Sequence, residues 1–472
     1  MNQEYKPIGL KIAVLSLSLL TIMAAAAVSP ALAKIKAAFP DVGKTVIKLT
    51  LTLPALLIIP FSLISGWLAA KWTPRKTLIT GLIIFCIGGM GGGLAANITQ
   101  LLAFRAVLGI GVGLIMPLST SLIADLFEGD ERTKMMGLSG SVSHFGGVIF
   151  LILSGWLACI SWRAAFAVYA LGFLSLALTL TRLPEWQKKR AQTGDSFQLP
   201  GAVWTCSLLG ALMMIAFYAV PTNMALFIED EESLLMVQTP LMESREQLAE
   251  SVQTGVLPET TIKTLAEKGI TLQGKISIAE EEQGKRWIIT DERRSYIVKK
   301  NDEGLAVCKT RLGRPAVAGL ALSTMTLAGV ISGIILAFMT KIFKRLLPAV
   351  TIALMGVGFW LLNSAESMTI VFAGVSCIGL SSGFMMPMLL LQVSKAAAPA
   401  ARAFAMAIVS SGVYLGQFVS PIILEKAGLM AGNSSIRSQF GLLAIFLGAS
   451  AAVALVLAAF KKGDPAMLLK VH

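Results

Sequence analysis

The chain has 472 residues, of which 55% are hydrophobic and 14% charged, with a mean hydropathy of +0.74 and a formal net charge of +13. An average soluble domain is about one quarter charged, so this composition excludes a soluble globular enzyme, a disordered chain and a secreted disulfide scaffold. What remains is a polytopic membrane protein, and the place of the positive charge decides whether it concerns nucleic acid or membrane.

Twelve apolar segments are each long enough for about 30 Å of hydrocarbon. They lie near 8–30, 47–70, 77–96, 102–123, 135–158, 163–182, 201–227, 314–340, 347–364, 368–392, 402–424 and 438–460. The first also reads as a signal peptide, with Lys6 and Lys11 ahead of it and Ala31-Leu32-Ala33 as a cleavage-like site. Its length and the spans that follow favour an uncleaved helix.

Lysine and arginine set the orientation. With the N-terminus inside, the inside loops carry 19 and the short outside loops 8, the latter including Lys44, Lys48 and Lys426. Both termini are therefore expected on the cytoplasmic side of the inner membrane. The positive charge reports orientation and anionic-lipid contact, and no nucleic-acid partner is expected. The five cysteines have no CxxC spacing, and His144 and His472 are far apart, so neither a metal site nor a cofactor is expected.

Residues 229–313 carry 16 of the 27 acidic residues and have a net charge of −4, against +17 for the rest of the chain. They follow the seventh span and are expected outside the membrane. Two helices are predicted at 241–254 and 258–268. β-like runs follow at Ile270–Leu272, Lys275–Ala279, Arg286–Thr290, Tyr296–Lys299 and Leu305–Cys308, separated by turn residues. A small α+β domain is the expectation.

An internal repeat organises the remainder. Gly109, Gly113, Met116 and Pro117 recur as Gly379, Gly383, Met386 and Pro387, an offset of 270, and Arg132, Met136, Ser141 and Gly146 recur as Arg402, Met406, Ser411 and Gly416. Ala27-Val28 matches Ala219-Val220 at an offset of 192, and the change in offset is close to the length of the polar segment. The expected organisation is a six-helix bundle at 1–190, a cytoplasmic linker at 191–200, the first helix of a second bundle at 201–228, the insertion at 229–313 and five further helices at 314–472. Repeats of this kind place a substrate site between two bundles that rock against each other.

Several motifs then resemble those of the major facilitator superfamily of secondary transporters. Gly66, Leu68, Lys71, Arg75 and Lys76 resemble its loop signature between the second and third spans, with Ala70 where the signature has Asp and Thr73 where it has a second Gly. Asp125 is placed to pair with Lys71 or Arg75, and these five residues, Gly66, Lys71, Arg75, Lys76 and Asp125, form the candidate cytoplasmic gate. Arg105, Gly109, Gly111 and Gly113 resemble the arginine–glycine pattern of the fourth span. Arg105 is either functional or snorkels to the interface. In the fifth span His144-Phe145 stands where the family's antiporters have Gly-Pro. His144 is thus either a proton carrier or a hydrogen-bonded interhelical residue. Its repeat mate is Tyr414, with Gln417 one turn on.

The resemblance implies an all-α membrane protein of twelve helices in two bundles, closest to the bacterial sugar and multidrug efflux branches. It also implies a cavity lined by spans one, four, seven and ten. Candidate cavity residues are Arg105, Met116, His144, Tyr218, Asn223, Met386, Tyr414 and Gln417. Methionine is adaptable and suits variable apolar ligands, and no carboxylate lies deep in a span. The expected function is proton-linked efflux of small amphipathic compounds, with the bilayer, a small-molecule substrate and the proton gradient as partners. Alternatives are an uncoupled facilitator or lipid transporter, or a receptor whose insertion binds an extracytoplasmic partner.

Overall fold

The computed structural model describes residues 8–26, 28–185, 200–229 and 315–460, except 344–345, 366, 398–401 and 434. Between these it describes five strands and residues 259, 262 and 263. The helices are α1 (Ile8–Ala26), α2 (Leu32–Ala38), α3 (Lys44–Lys71), α4 (Pro74–Gly91), α5 (Ile98–Leu126), α6 (Gly129–Ile160) and α7 (Leu171–Arg182). They continue with α8 (Gly201–Glu229), α9 (Pro315–Phe343), α10 (Leu347–Asn363), α11 (Met368–Ala396), α12 (Arg402–Met430) and α13 (Ile436–Phe460). Among the described residues ten helices are long and apolar enough to cross a membrane, and Ile8–Leu20 and Leu347–Asn363 are shorter apolar helices. Helices suit such sequences because hydrocarbon offers no partner for a backbone N–H or C=O.

Local chemistry sets the ends. Asn97 caps α5 by accepting from the Gln100 amide, and Thr73 caps α4 by accepting from the Lys76 amide. At the end of α12, Gly432 takes φ +74° and the Asn433 amide reaches back to Gly428 O, a Schellman closure that a side chain at 432 would strain. The first apolar run ends earlier than its hydropathy suggests. After α1 the chain turns through a 3-10 segment, Ser29–Ala31, into α2. Ala31 and Leu32, from the cleavage-like site, are buried there.

The repeat is visible in how the helices pair. α1 packs on α6 as α8 packs on α12, and α3 packs on α5 as α9 packs on α11. A Cβ at Gly146 would strike Leu19, and one at its mate Gly416 would strike the Ala211 backbone. Leu19 and Ala211 are themselves 192 apart, so the two offsets found in the sequence meet at one pair of equivalent contacts. Gly109 likewise sits against Pro54 of α3, and Gly379 against Met325 of α9. These glycines bring helices close together. Two further pairs, α6 with α9 and α3 with α12, join the halves.

Five strands form one antiparallel sheet of order β1-β5-β4-β3-β2: β1 (Val237–Gln238), β2 (Ser277–Glu281), β3 (Arg286–Thr290), β4 (Ser295–Lys300) and β5 (Ala306–Arg311). Four of the β-like runs coincide with strands to within a few residues. The fifth, Ile270–Leu272, and the predicted helices at 241–254 and 258–268 lie outside the described residues, apart from 259, 262 and 263. The linker at 191–200 lies outside them too, apart from Pro200. β1 was not legible, being two residues long. It pairs with β5, Val237 opposite Cys308, so the strand leaving α8 lies beside the strand leading to α9.

Candidate functional site

The helices alternate in direction, so one end of the bundle carries the insertion and the other carries both termini. Contacts between the halves gather on the insertion side. Ser29, after α1, donates to Pro221 O in α8, its own repeat mate at an offset of 192. Thr52 of α3 donates to Phe418 O of α12 at 3.4 Å, and Ser323 of α9 shares its hydroxyl proton between Val148 O of α6 at 3.0 Å and Gly319 O of its own helix at 2.8 Å. The two bonds across the halves are repeat equivalents: Thr52 and Ser323 are 271 apart, and Val148 and Phe418 are 270 apart.

One turn nearer the insertion the two crossings differ. Lys48 Nζ lies 3.8 Å from Glu425 Oε2, with the lysine side chain 1% exposed and the glutamate 25%. At the equivalent place α6 and α9 meet on glycine. A Cβ at Gly155 would lie 2.9 Å from Pro315 O, and one at Gly319 would lie 2.5 Å from Leu151 O. Gly319 is the mate of Lys48, and Gly155 the mate of Glu425.

Mid-bundle, Tyr414 Oη donates to Met116 Sδ across the halves at 2.8 Å. The Gln417 side chain lies beside that of Tyr218, and Thr222 donates to Tyr218 O. Met116, Tyr218, Met386 and Tyr414 are each half-buried. The structure thus brings Met116, Tyr218, Tyr414 and Gln417 together, and Met386 holds the place in α11 that Met116 holds in α5.

Towards the termini the helices part. Gly66 in α3, Gly137 and Gly140 in α6 and Gly333 in α9 have nothing within 4 Å of where a Cβ would stand. His144 is exposed, on the face of α6 that carries Val148, Leu151 and Gly155 towards α9, one turn beyond their last contact. Gln392 and Thr120 are exposed at similar depth in α11 and α5.

Two predicted cavity residues, Arg105 and Asn223, and one expected loop lysine, Lys48, sit elsewhere than expected. Arg105 is fully buried and donates to Thr50 O of α3 at 2.7 Å and to Tyr169 Oη at 2.6 Å. Its guanidinium ties α3, α5 and the 3-10 segment Ala164–Ala170 together inside the first bundle, so it does not snorkel. Asn223 is also fully buried, donating to Ala219 O in a stretch of α8 where residues 221–228 are all buried. Lys48 stands one turn inside α3, so its charge belongs to the contact between halves and not to a loop.

The gate residues are apart. Arg75 donates to Leu180 O of α7 at 2.7 Å, and Lys71 lies over the Trp67 ring at 5.2 Å. Asp125 closes α5 without an ion pair to either among the described residues, and one of its carboxylate oxygens is buried without a hydrogen bond. Lys76 is exposed in the first turn of α4. Lys11 and Glu131 form a 2.7 Å ion pair between α1 and α6, within one bundle.

A family model for the Major Facilitator Superfamily matches residues 14–242 and 303–469. The chain belongs to the Major Facilitator Superfamily. The break in the match falls inside the insertion. Among curated relatives, the chain is 33% identical over 156 residues to a multidrug transporter protein MdtP of Bacillus subtilis, covering 32% of this chain and 28% of that one. It is 28% identical over 134 residues to an arabinose-proton symporter of Escherichia coli, covering 28% of each. The matched stretches thus span less than a third of these relatives. The fold is similar throughout to the inward-open xylose transporter XylE of Escherichia coli, with a TM-score of 0.60, 14% identity and 98% of each chain covered. That family assignment lends no support to the receptor reading.

Proposed function

We propose that this transporter has twelve spans with both termini cytoplasmic, and that it exports small amphipathic compounds by alternating access linked to the proton gradient. One observation carries the reading: the halves are joined at the insertion side and parted at the termini side, with Met116, Tyr218, Met386, Tyr414 and Gln417 between the joined and parted regions. With the basic loops inside, this is the inward-open stage of a rocking cycle. The thioethers offer adaptable apolar contact, and the hydroxyls and amide offer a few polar anchors. The similarity to a multidrug transporter supports efflux, and the similarity to a proton symporter supports proton linkage. His144 is the proposed proton carrier, being titratable, intramembrane and exposed where α6 leaves α9. Lys71, Arg75, Lys76 and Asp125 are proposed to gather when the termini side closes.

The test is purified protein in liposomes holding a pH-sensitive dye. Adding an amphipathic substrate under an imposed pH gradient should move protons, and His144→Gln should abolish that movement while leaving substrate binding. Transport indifferent to the gradient would instead favour the uncoupled facilitator, a reading that the lack of a carboxylate deep in a span and His144-Phe145 at the place of Gly-Pro favour.

A further inference from the structure

The two crossings between halves are equivalent by repeat, yet they are held by different forces. At α3–α12 the contact one turn in from the end is a charge pair. At α6–α9 it is backbone against backbone. These respond differently to separation. When an ion pair parts into water, each charge recovers hydration, so much of the lost attraction is returned. The Glu425 side chain is partly exposed near the insertion-side end of α12, so that exchange has a route. A glycine seam has no charge to hydrate. Parting it loses dispersion contacts and exposes backbone without recompense.

We propose that Lys48 and Glu425 are positioning residues that lock the insertion-side mouth, and that the mouth opens by parting α3 from α12 while the Gly155–Gly319 seam stays in contact as the pivot. This rests on the alternating-access reading above. Two further facts fit it. Thr52 Oγ1 stands 3.4 Å from Phe418 O and Ser323 Oγ 3.0 Å from Val148 O, so the charged crossing is the wider of the two beneath its latch. The glycine seam continues into Leu151 O and Pro315 O, a close contact of backbone atoms.

The experiment is backbone hydrogen exchange on the full chain in lipid nanodiscs without substrate. In Glu425→Gln, peptides over 44–52 and 418–430 should exchange at least about fivefold faster, the scale of a typical coupling between states. Peptides over 148–155 and 315–323 should stay within error of the parent. The swapped pair Lys48→Glu with Glu425→Lys should return the parent rates. Should Glu425→Gln fail to fold, the neutral pair Lys48→Gln with Glu425→Gln replaces it with the same expectation. Unchanged exchange at α3–α12, an equal rise at both crossings, or a swapped pair that behaves like the single variant would each overturn the proposal. Exchange is read without transport, so an inactive protein whose α3–α12 end still loosens alone would defeat the efflux reading and leave the latch standing.

Discussion

The α3–α12 and α6–α9 crossings descend from one pattern and close the same end of the molecule, but one relies on charge and the other on the absence of side chains. Their hydroxyl–carbonyl bonds are equivalent by repeat, Thr52 to Phe418 O and Ser323 to Val148 O. One turn on, Lys48 and Glu425 stand where Gly319 and Gly155 stand. A repeat thus fixes where helices meet, while the residues at the meeting point decide whether the contact is a lock or a hinge. Duplication alone would give two equal gates; divergence at two pairs of positions makes them unequal.

The largest effect is expected from filling the seam. Gly319→Leu places a side chain where even a Cβ would lie 2.5 Å from Leu151 O. Parting the backbones should cost about 1–3 kcal/mol and abolish transport. A lowered thermal midpoint in detergent, together with lost uptake, would show it; a tolerated leucine would mean the seam is not a fixed contact.

A control inside one bundle comes next. Arg105→Leu leaves the Tyr169 hydroxyl and Thr50 carbonyl without their shared donor, for about 1–3 kcal/mol. Thermal stability should fall while hydrogen exchange at the two crossings changes alike. A selective change at α3–α12 would mean that the arginine acts on the gate as well as on the bundle.

Smaller still are the paired hydroxyls. Ser323→Ala and Thr52→Val should each cost about 0.5–1.5 kcal/mol, the Ser323 hydroxyl being shared between Val148 O and Gly319 O of its own helix. Thermal melts of the two variants and their combination check this, and a much larger cost at either would mean that the hydroxyls, and not the charge pair and the seam, hold the crossings. The smallest effect is expected of Tyr414→Phe, which removes the bond to Met116 Sδ but keeps the ring. Substrate affinity should change by about tenfold or less, since one neutral hydrogen bond is worth about 1 kcal/mol. A binding titration would show it.

Much of this was legible in the sequence, for physical reasons. The Gly–Met–Pro repeat exposed the register because glycine and proline cannot be exchanged freely where helices touch or bend. The β runs at Arg286–Thr290 and Tyr296–Lys299 were legible from β-branched and aromatic residues between turns. The crossings were hidden. Their bonds end on carbonyl oxygens, Phe418 O, Val148 O and Pro221 O, which every residue possesses. Lys48 lies near the margin of an apolar run, and a charge there marks the end of the run to any hydropathy reading, so it was counted with the loops. Arg105 was recognised, but its partner Tyr169 sits in an apolar stretch where a phenol passes for core. Met116 and Tyr414 both stand out in the sequence, though only the fold shows that they touch.

The pairing of β1 with β5 has a consequence for how such a chain can be built. The described part of the segment between α8 and α9 opens with β1 and closes with β5, and the two pair, with Val237 opposite Cys308. Gln238 and Val307 are therefore held at the separation of neighbouring strands, about 5 Å, whatever lies between them. Length gained or lost between those two positions leaves that spacing unchanged.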